Sequence, residues 1–71
     1  MVVLYTLPTC GICKVIKGKL EKANVDFKEV VGEDFFTQNG YEGAPILQTE
    51  NGELLTSPIT INKWIKNQQE G

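Results

Sequence analysis

The sequence contains no histidine and no arginine. Without an imidazole there is no Ser-His or Cys-His nucleophile pair, no histidine ligand for zinc, and no side chain with an ordinary pKa near neutrality for acid-base work. Positive charge is scarce as well: seven lysines stand against nine carboxylates, a net charge of −2. That balance argues against a phosphate-binding surface, so no nucleic-acid partner is expected. No run approaches the ~20 consecutive apolar residues that span a bilayer. The N-terminal Met1-Val2-Val3-Leu4-Tyr5 has neither a basic region nor a small-residue cleavage site. Neither a membrane association nor a secretory signal is expected, and the reading is cytoplasmic. With 71 residues, 41% of them apolar, the chain has room for one domain, residues 1–71, and one small core.

Cysteine is also scarce, and its placement is informative. Cys10 and Cys13 are the only two, in a C-x-x-C spacing. A disulfide closing so short a loop constrains the unfolded chain less than the ~3 kcal/mol of a 15-residue loop, so stapling the fold is a poor explanation. A closed zinc site needs four ligands, which two cysteines and no histidine cannot supply from one chain, so no metal is assigned. Reversible dithiol-disulfide chemistry is the strongest remaining reading for a chain without export signals. The alternatives are a pair of buried small hydrophobes or half of a metal site.

Along the chain, Val2-Val3-Leu4-Tyr5-Thr6 is a short β-branched and aromatic run without polar alternation. It predicts a strand buried on both faces. Pro8 breaks it. From Gly11 to Ala23 the pattern becomes helical, with Cys13, Ile16 and Leu20 on one face and Lys14, Lys17, Glu21 and Lys22 free to face water. Asn24 is a left-handed stop just after it. Val25 to Val31 predicts a second strand. Glu33 to Asn39 predicts a short helix with its acidic residues at the favourable end, followed by a loop over Gly40-Tyr41-Glu42-Gly43. Pro45 to Thr49 and Glu53 to Thr56 predict two strands joined by a hairpin at Asn51-Gly52. Ser57-Pro58 reads as an N-cap followed by proline in the first helical position, opening a last helix to Gln68 with Ile61, Trp64 and Ile65 inward. The tail Gln69-Glu70-Gly71 is expected to fray. The order β-α-β-α-β-β-α predicts an α/β fold: a mixed four-stranded sheet with helices on both faces.

In this arrangement Cys10 falls where a helix begins. Unpaired N–H groups of the first turn, Ile12 and Cys13 among them, can point at its sulfur. With the helix dipole they favour thiolate, the attacking species, over thiol. Lys14 lies four residues on and adds little if it is merely a solvated charge. Cys13 lies one turn further in, on the apolar side, suited to resolving a mixed disulfide. The two-residue spacer gives that step a high effective concentration.

The run Tyr5-Thr6-Leu7-Pro8-Thr9-Cys10-Gly11-Ile12-Cys13, with Gly43-Ala44-Pro45 further on, resembles the glutaredoxin branch of the thioredoxin superfamily. The likeness extends over nearly the whole chain, which looks like a minimal glutaredoxin or a ribonucleotide-reductase-associated redoxin. The resemblance implies a thioredoxin-like fold and a thiol-disulfide oxidoreductase. It implies a cis Ala44-Pro45 bond against the dithiol, leaving the Ala44 backbone free to pair with an extended substrate. It further implies protein disulfide substrates such as ribonucleotide reductase, and a monomer with no bound cofactor that draws electrons from glutathione as co-substrate. Three positions depart from the pattern. Leu7 stands where many glutaredoxins carry a lysine for a glutathione carboxylate. Gly11-Ile12 occupies the spacer where an aromatic is common. Leu55-Thr56-Ser57-Pro58 replaces the usual Gly-Gly and acidic pair. A thioredoxin-type flavoprotein reductase is therefore the alternative donor. An iron-sulfur or metal-binding module shared between two chains, and a domain that keeps the fold without the activity, are further readings. Ile12, Leu7, Tyr41, Gly43 and Ala44 either form a docking rim around the dithiol or, for Leu7 and Tyr41, close the core; Gly11 and Pro45 join Ala44, Ile12, Leu7 and Tyr41 as expected substrate-binding residues. Phe35 and Trp64 are read as core.

Overall fold

The computed structural model describes residues 1–41 and 43–70. The elements follow the expected order: β1 (Val2–Thr6), α1 (Gly11–Lys22), β2 (Phe27–Val31), α2 (Asp34–Asn39), β3 (Ile46–Gln48), β4 (Leu54–Leu55) and α3 (Pro58–Glu70). They form one four-stranded sheet in the order β2-β1-β3-β4. β1 runs parallel to β2, with Val2 opposite Phe27 and Thr6 opposite Val31, and antiparallel to β3, with Leu4 opposite Leu47. β3 and β4 are antiparallel.

The core lies on one face of this sheet. Val2 and Leu4 of β1, Leu47 and Leu55 pack with Ile16 and Leu20 of α1 and with Ile61 and Ile65 of α3. Trp64 is half-buried against the same cluster. On the other face Tyr5 stacks on Phe35 of α2, with ring centroids 3.7 Å apart, and Phe36 is buried. β1 is thus not buried evenly on both faces as its composition implies. Its residues alternate between buried and half-buried, because the six-residue α2 is too short to cover its side of the sheet as α1 and α3 cover theirs.

The strand ends differ from the sequence reading for identifiable reasons. The β2 ladder begins at Phe27 rather than Val25, because the helix end claims the preceding amides. The Val25 N–H donates to Leu20 C=O and the Asn24 N–H to Glu21 C=O, both at 3.1 Å, with Asn24 at φ 58°. This is the paired closure that terminates a helix on a left-handed residue. β3 is trimmed at both ends: Pro45 has no N–H to donate, and Thr49 is used by the turn. The Gly52 N–H donates to Thr49 C=O and the Thr49 N–H to Glu53 C=O. Only Gly52 of the Asn51-Gly52 pair is left-handed, at φ 85°, so the hairpin uses a three-residue loop with a bulge rather than a two-residue turn.

α2 begins at Asp34, one residue later than expected. α3 opens as predicted, the Ile59 N–H donating to Ser57 Oγ at 3.3 Å. It continues through Gln69 and Glu70 where fraying was expected, since nothing in Gln-Gln-Glu stops a helix. Glu42 of the predicted loop and Gly71 of the predicted frayed tail lie outside the described residues.

Candidate redox site

β1 delivers the chain to the dithiol through one tight turn. The Cys10 N–H donates to Leu7 C=O at 3.1 Å, with Pro8 and Thr9 between them. Proline suits this position because its φ is already set and no donor is wasted. Cys10 is then the N-cap of α1, in extended conformation at φ −87° and ψ 109°. Its Sγ takes the place of the usual capping oxygen and accepts the Cys13 N–H at 3.1 Å. An amide that the helix leaves unpaired is therefore aimed at sulfur.

Cys10 is half-buried and Cys13 is buried. The two are joined in a disulfide, with Cα atoms 5.4 Å apart. On reduction, the Cys10 sulfur that now accepts the amide is the atom that would carry the thiolate charge.

The other sequence-predicted residues fall around this pair in different ways. Gly11 and Ile12 are exposed on the first turn of α1. Leu7 is half-buried and shares with both cysteines a cleft of about 250 Å³. The Ala44-Pro45 bond is cis, and Pro45 is buried. Tyr5 pairs with Ile46 across the antiparallel ladder, so Ala44-Pro45 enters the sheet at the end of β1 that leads to the dithiol. Tyr41 is directed elsewhere: its ring stacks on Phe35, 5.7 Å between centroids, over the α2 face.

Three charged or polar residues at the cleft were not singled out from the sequence. Glu29 of β2 is held by Lys17 of α1, with Nζ 3.2 Å from Oε1, and by the buried Thr6, whose hydroxyl donates to Oε2 at 3.3 Å. Glu29, Lys17 and Thr6 line the same cleft as the two sulfurs. Spacing would have found Lys17, since it follows Cys13 by one helical turn. Glu29 has no such local signal.

The glutaredoxin family model matches residues 2–31, the β1-α1-β2 unit that carries both cysteines. Over these residues the chain is similar to glutaredoxins. Solved structures similar to this fold cover nearly the whole chain. A glutathione transferase homologue from Sulfitobacter with bound glutathione has a TM-score of 0.81 at 19% identity, covering 99% of this chain and 38% of its own. A glutathione transferase from Methylococcus capsulatus reaches 0.82 at 22% identity, with coverages of 99% and 39%. Glutathione transferase F7 from Populus trichocarpa reaches 0.76 at 20% identity, with coverages of 100% and 37%. At these identities the likeness shows the thioredoxin-like fold, and the chain spans well under half the length of each of these proteins. No curated protein matches the chain in sequence.

Proposed function

We propose that this glutaredoxin-like chain is a dithiol-disulfide oxidoreductase that reduces protein disulfides, with Cys10 as nucleophile and Cys13 as resolving thiol. The observation that carries this reading is the seat of Cys10: its Sγ caps α1 and accepts the Cys13 N–H, while Cys13 is buried. A hydrogen bond donated to sulfur and the positive end of a helix both favour thiolate, which lowers the Cys10 pKa. Burial in apolar surroundings acts in the opposite direction on Cys13.

The cycle balances as follows. Cys10 thiolate attacks one sulfur of a substrate disulfide, forms a mixed disulfide and releases the first substrate thiolate, which takes a proton from solvent. Cys13 gives its proton to solvent and attacks the Cys10 sulfur. The second substrate thiol leaves and the Cys10–Cys13 disulfide remains. Two electrons and two protons pass to the substrate. By the family resemblance, Ala44 offers its backbone groups to an extended substrate segment.

Two glutathione molecules, oxidised together to their disulfide, are the proposed electron donors. The similar Sulfitobacter protein is described with glutathione bound. A flavoprotein reductase of thioredoxin type is the second reading of the donor. It is favoured by Leu7 in place of a cation, and by Ser57-Pro58, where the serine hydroxyl already accepts the Ile59 N–H and the proline brings no amide. Ribonucleotide reductase in the cytoplasm is a candidate substrate.

The test is a turnover assay on a protein disulfide with each donor in separate reactions. Cys10→Ser should abolish turnover. Cys13→Ser should accumulate a mixed disulfide on Cys10, detectable by mass. Absence of turnover with both donors would overturn the proposal.

A further inference from the structure

Cys10, Cys13, Lys14 and Lys17 follow one another at positions i, i+3, i+4 and i+7 along the start of α1. That spacing puts them in a single stripe on one side of the helix. All four line the cleft beside the dithiol, and so does Glu29 of β2. The two ammonium groups are not equivalent. Lys17 is paired with Glu29, and Thr6 fixes the second carboxylate oxygen. Lys14, adjacent to Cys13 and nearer the sulfurs along the helix, makes no ion pair among the described residues. The cleft therefore carries two cations, one carboxylate and a net positive charge, on a chain whose total charge is −2. Its remaining walls include Leu7, Pro8 and the exposed Val31. Glu33 and Asp34 leave β2 for the α2 side of the sheet and are not part of this wall.

On the reading of Cys10 and Cys13 as a disulfide-reducing pair, we propose that Lys14 selects its substrates by charge: the site prefers disulfides flanked by carboxylate side chains over those flanked by cations. Glu29 sets the strength of that preference, because it neutralises Lys17. An ammonium on the sulfur stripe lies within one Debye length of a charge one or two residues from a docked disulfide, since that length is about 10 Å at 0.1 M salt and ~30 Å at 0.01 M. Coulomb attraction for one partner and repulsion of the other, at aqueous screening over such distances, give a rate ratio of roughly fivefold at low salt. The ratio should shrink toward unity near 1 M salt, where the screening length is ~3 Å.

The experiment uses three model peptides with the same disulfide, flanked by Asp, Asn or Lys. The reduced protein is mixed with each, and the second-order rate of its oxidation is measured in a single turnover, so no donor is required. The expected order is Asp over Asn over Lys, with an Asp-to-Lys ratio of about fivefold at low ionic strength. Lys14→Gln should reduce this ratio, and Lys14→Glu should invert it. Lys63→Glu makes the same change in net charge on the exposed side of α3 and should leave the order intact. Glu29→Gln releases Lys17 and should raise the ratio. An equal response in Lys14→Glu and Lys63→Glu, or no charge preference in the wild type while the Asn peptide is reduced normally, overturns the proposal and leaves the redox reading standing. Failure to reduce even the Asn peptide overturns both.

Discussion

Ile59 and Ile61 are the same residue type two positions apart on α3, and their environments are opposite: Ile59 is 68% exposed and Ile61 0%. Truncating each to alanine isolates what the packing of α3 contributes. Ile61→Ala removes about three methylene equivalents from the core, worth ~0.8 kcal/mol each. The cavity left in the core cluster to which Ile61 belongs raises the total to about 3–4 kcal/mol. A domain of 71 residues is typically stable by only ~4–11 kcal/mol. The variant should therefore lose between about a quarter and all of its stability, with Tm falling by roughly 12–30 °C. Ile59→Ala should change stability by less than ~0.5 kcal/mol. Urea titrations followed by far-ultraviolet circular dichroism measure both, with the slope expected to stay constant and only the midpoint to move. Equal effects at the two positions, or a cost below ~1 kcal/mol at Ile61, would refute the assignment of this helix face to the core.

Three further outcomes follow from local geometry. Ser57→Ala removes the hydroxyl that accepts the Ile59 N–H and should cost about 1 kcal/mol in the same titration. Asn24 at φ 58° closes α1, so Asn24→Ala should cost up to about 1 kcal/mol, because alanine lacks the short polar side chain that eases the left-handed conformation, whereas Asn24→Gly, with no β-carbon, should be tolerated; a reversed order would be inconsistent with that closure. Lys17 and Glu29 side chains are 45% and 29% exposed, so water screens their pair. A double-mutant cycle should give a coupling below ~1 kcal/mol that weakens with salt, and a coupling above ~2 kcal/mol would contradict the exposed geometry.

Where a feature depends on neighbours in sequence, it was legible. The buried stripe Cys13, Ile16 and Leu20 follows from helical period, the stop at Asn24 from its tolerance of positive φ, and the start of α3 from Ser57-Pro58. Strand limits were less legible because a ladder ends where another element claims the amide, as the end of α1 does with Val25 and the hairpin does with Thr49. Neither loss has a signature in β propensity. The uneven burial of β1 depends on the small extent of α2, a property of the assembled layers. In the site, the seat of Cys10 could be placed from a strand, a turn and a helix start. The cis Ala44-Pro45 bond was expected only through family resemblance. The Thr6-Glu29-Lys17 cluster joins residues from β1, β2 and α1, and its contacts exist only once β1 and β2 are in register.

The most direct measurement is the pH dependence of alkylation at each cysteine of the reduced protein, resolved by peptide mapping. Cys10 should react first, with a midpoint below the ~8.5 of a free cysteine, and Cys13 should be modified only slowly across the same range. Preferential labelling of Cys13, or a Cys10 midpoint at or above that of a free thiol, would contradict the account.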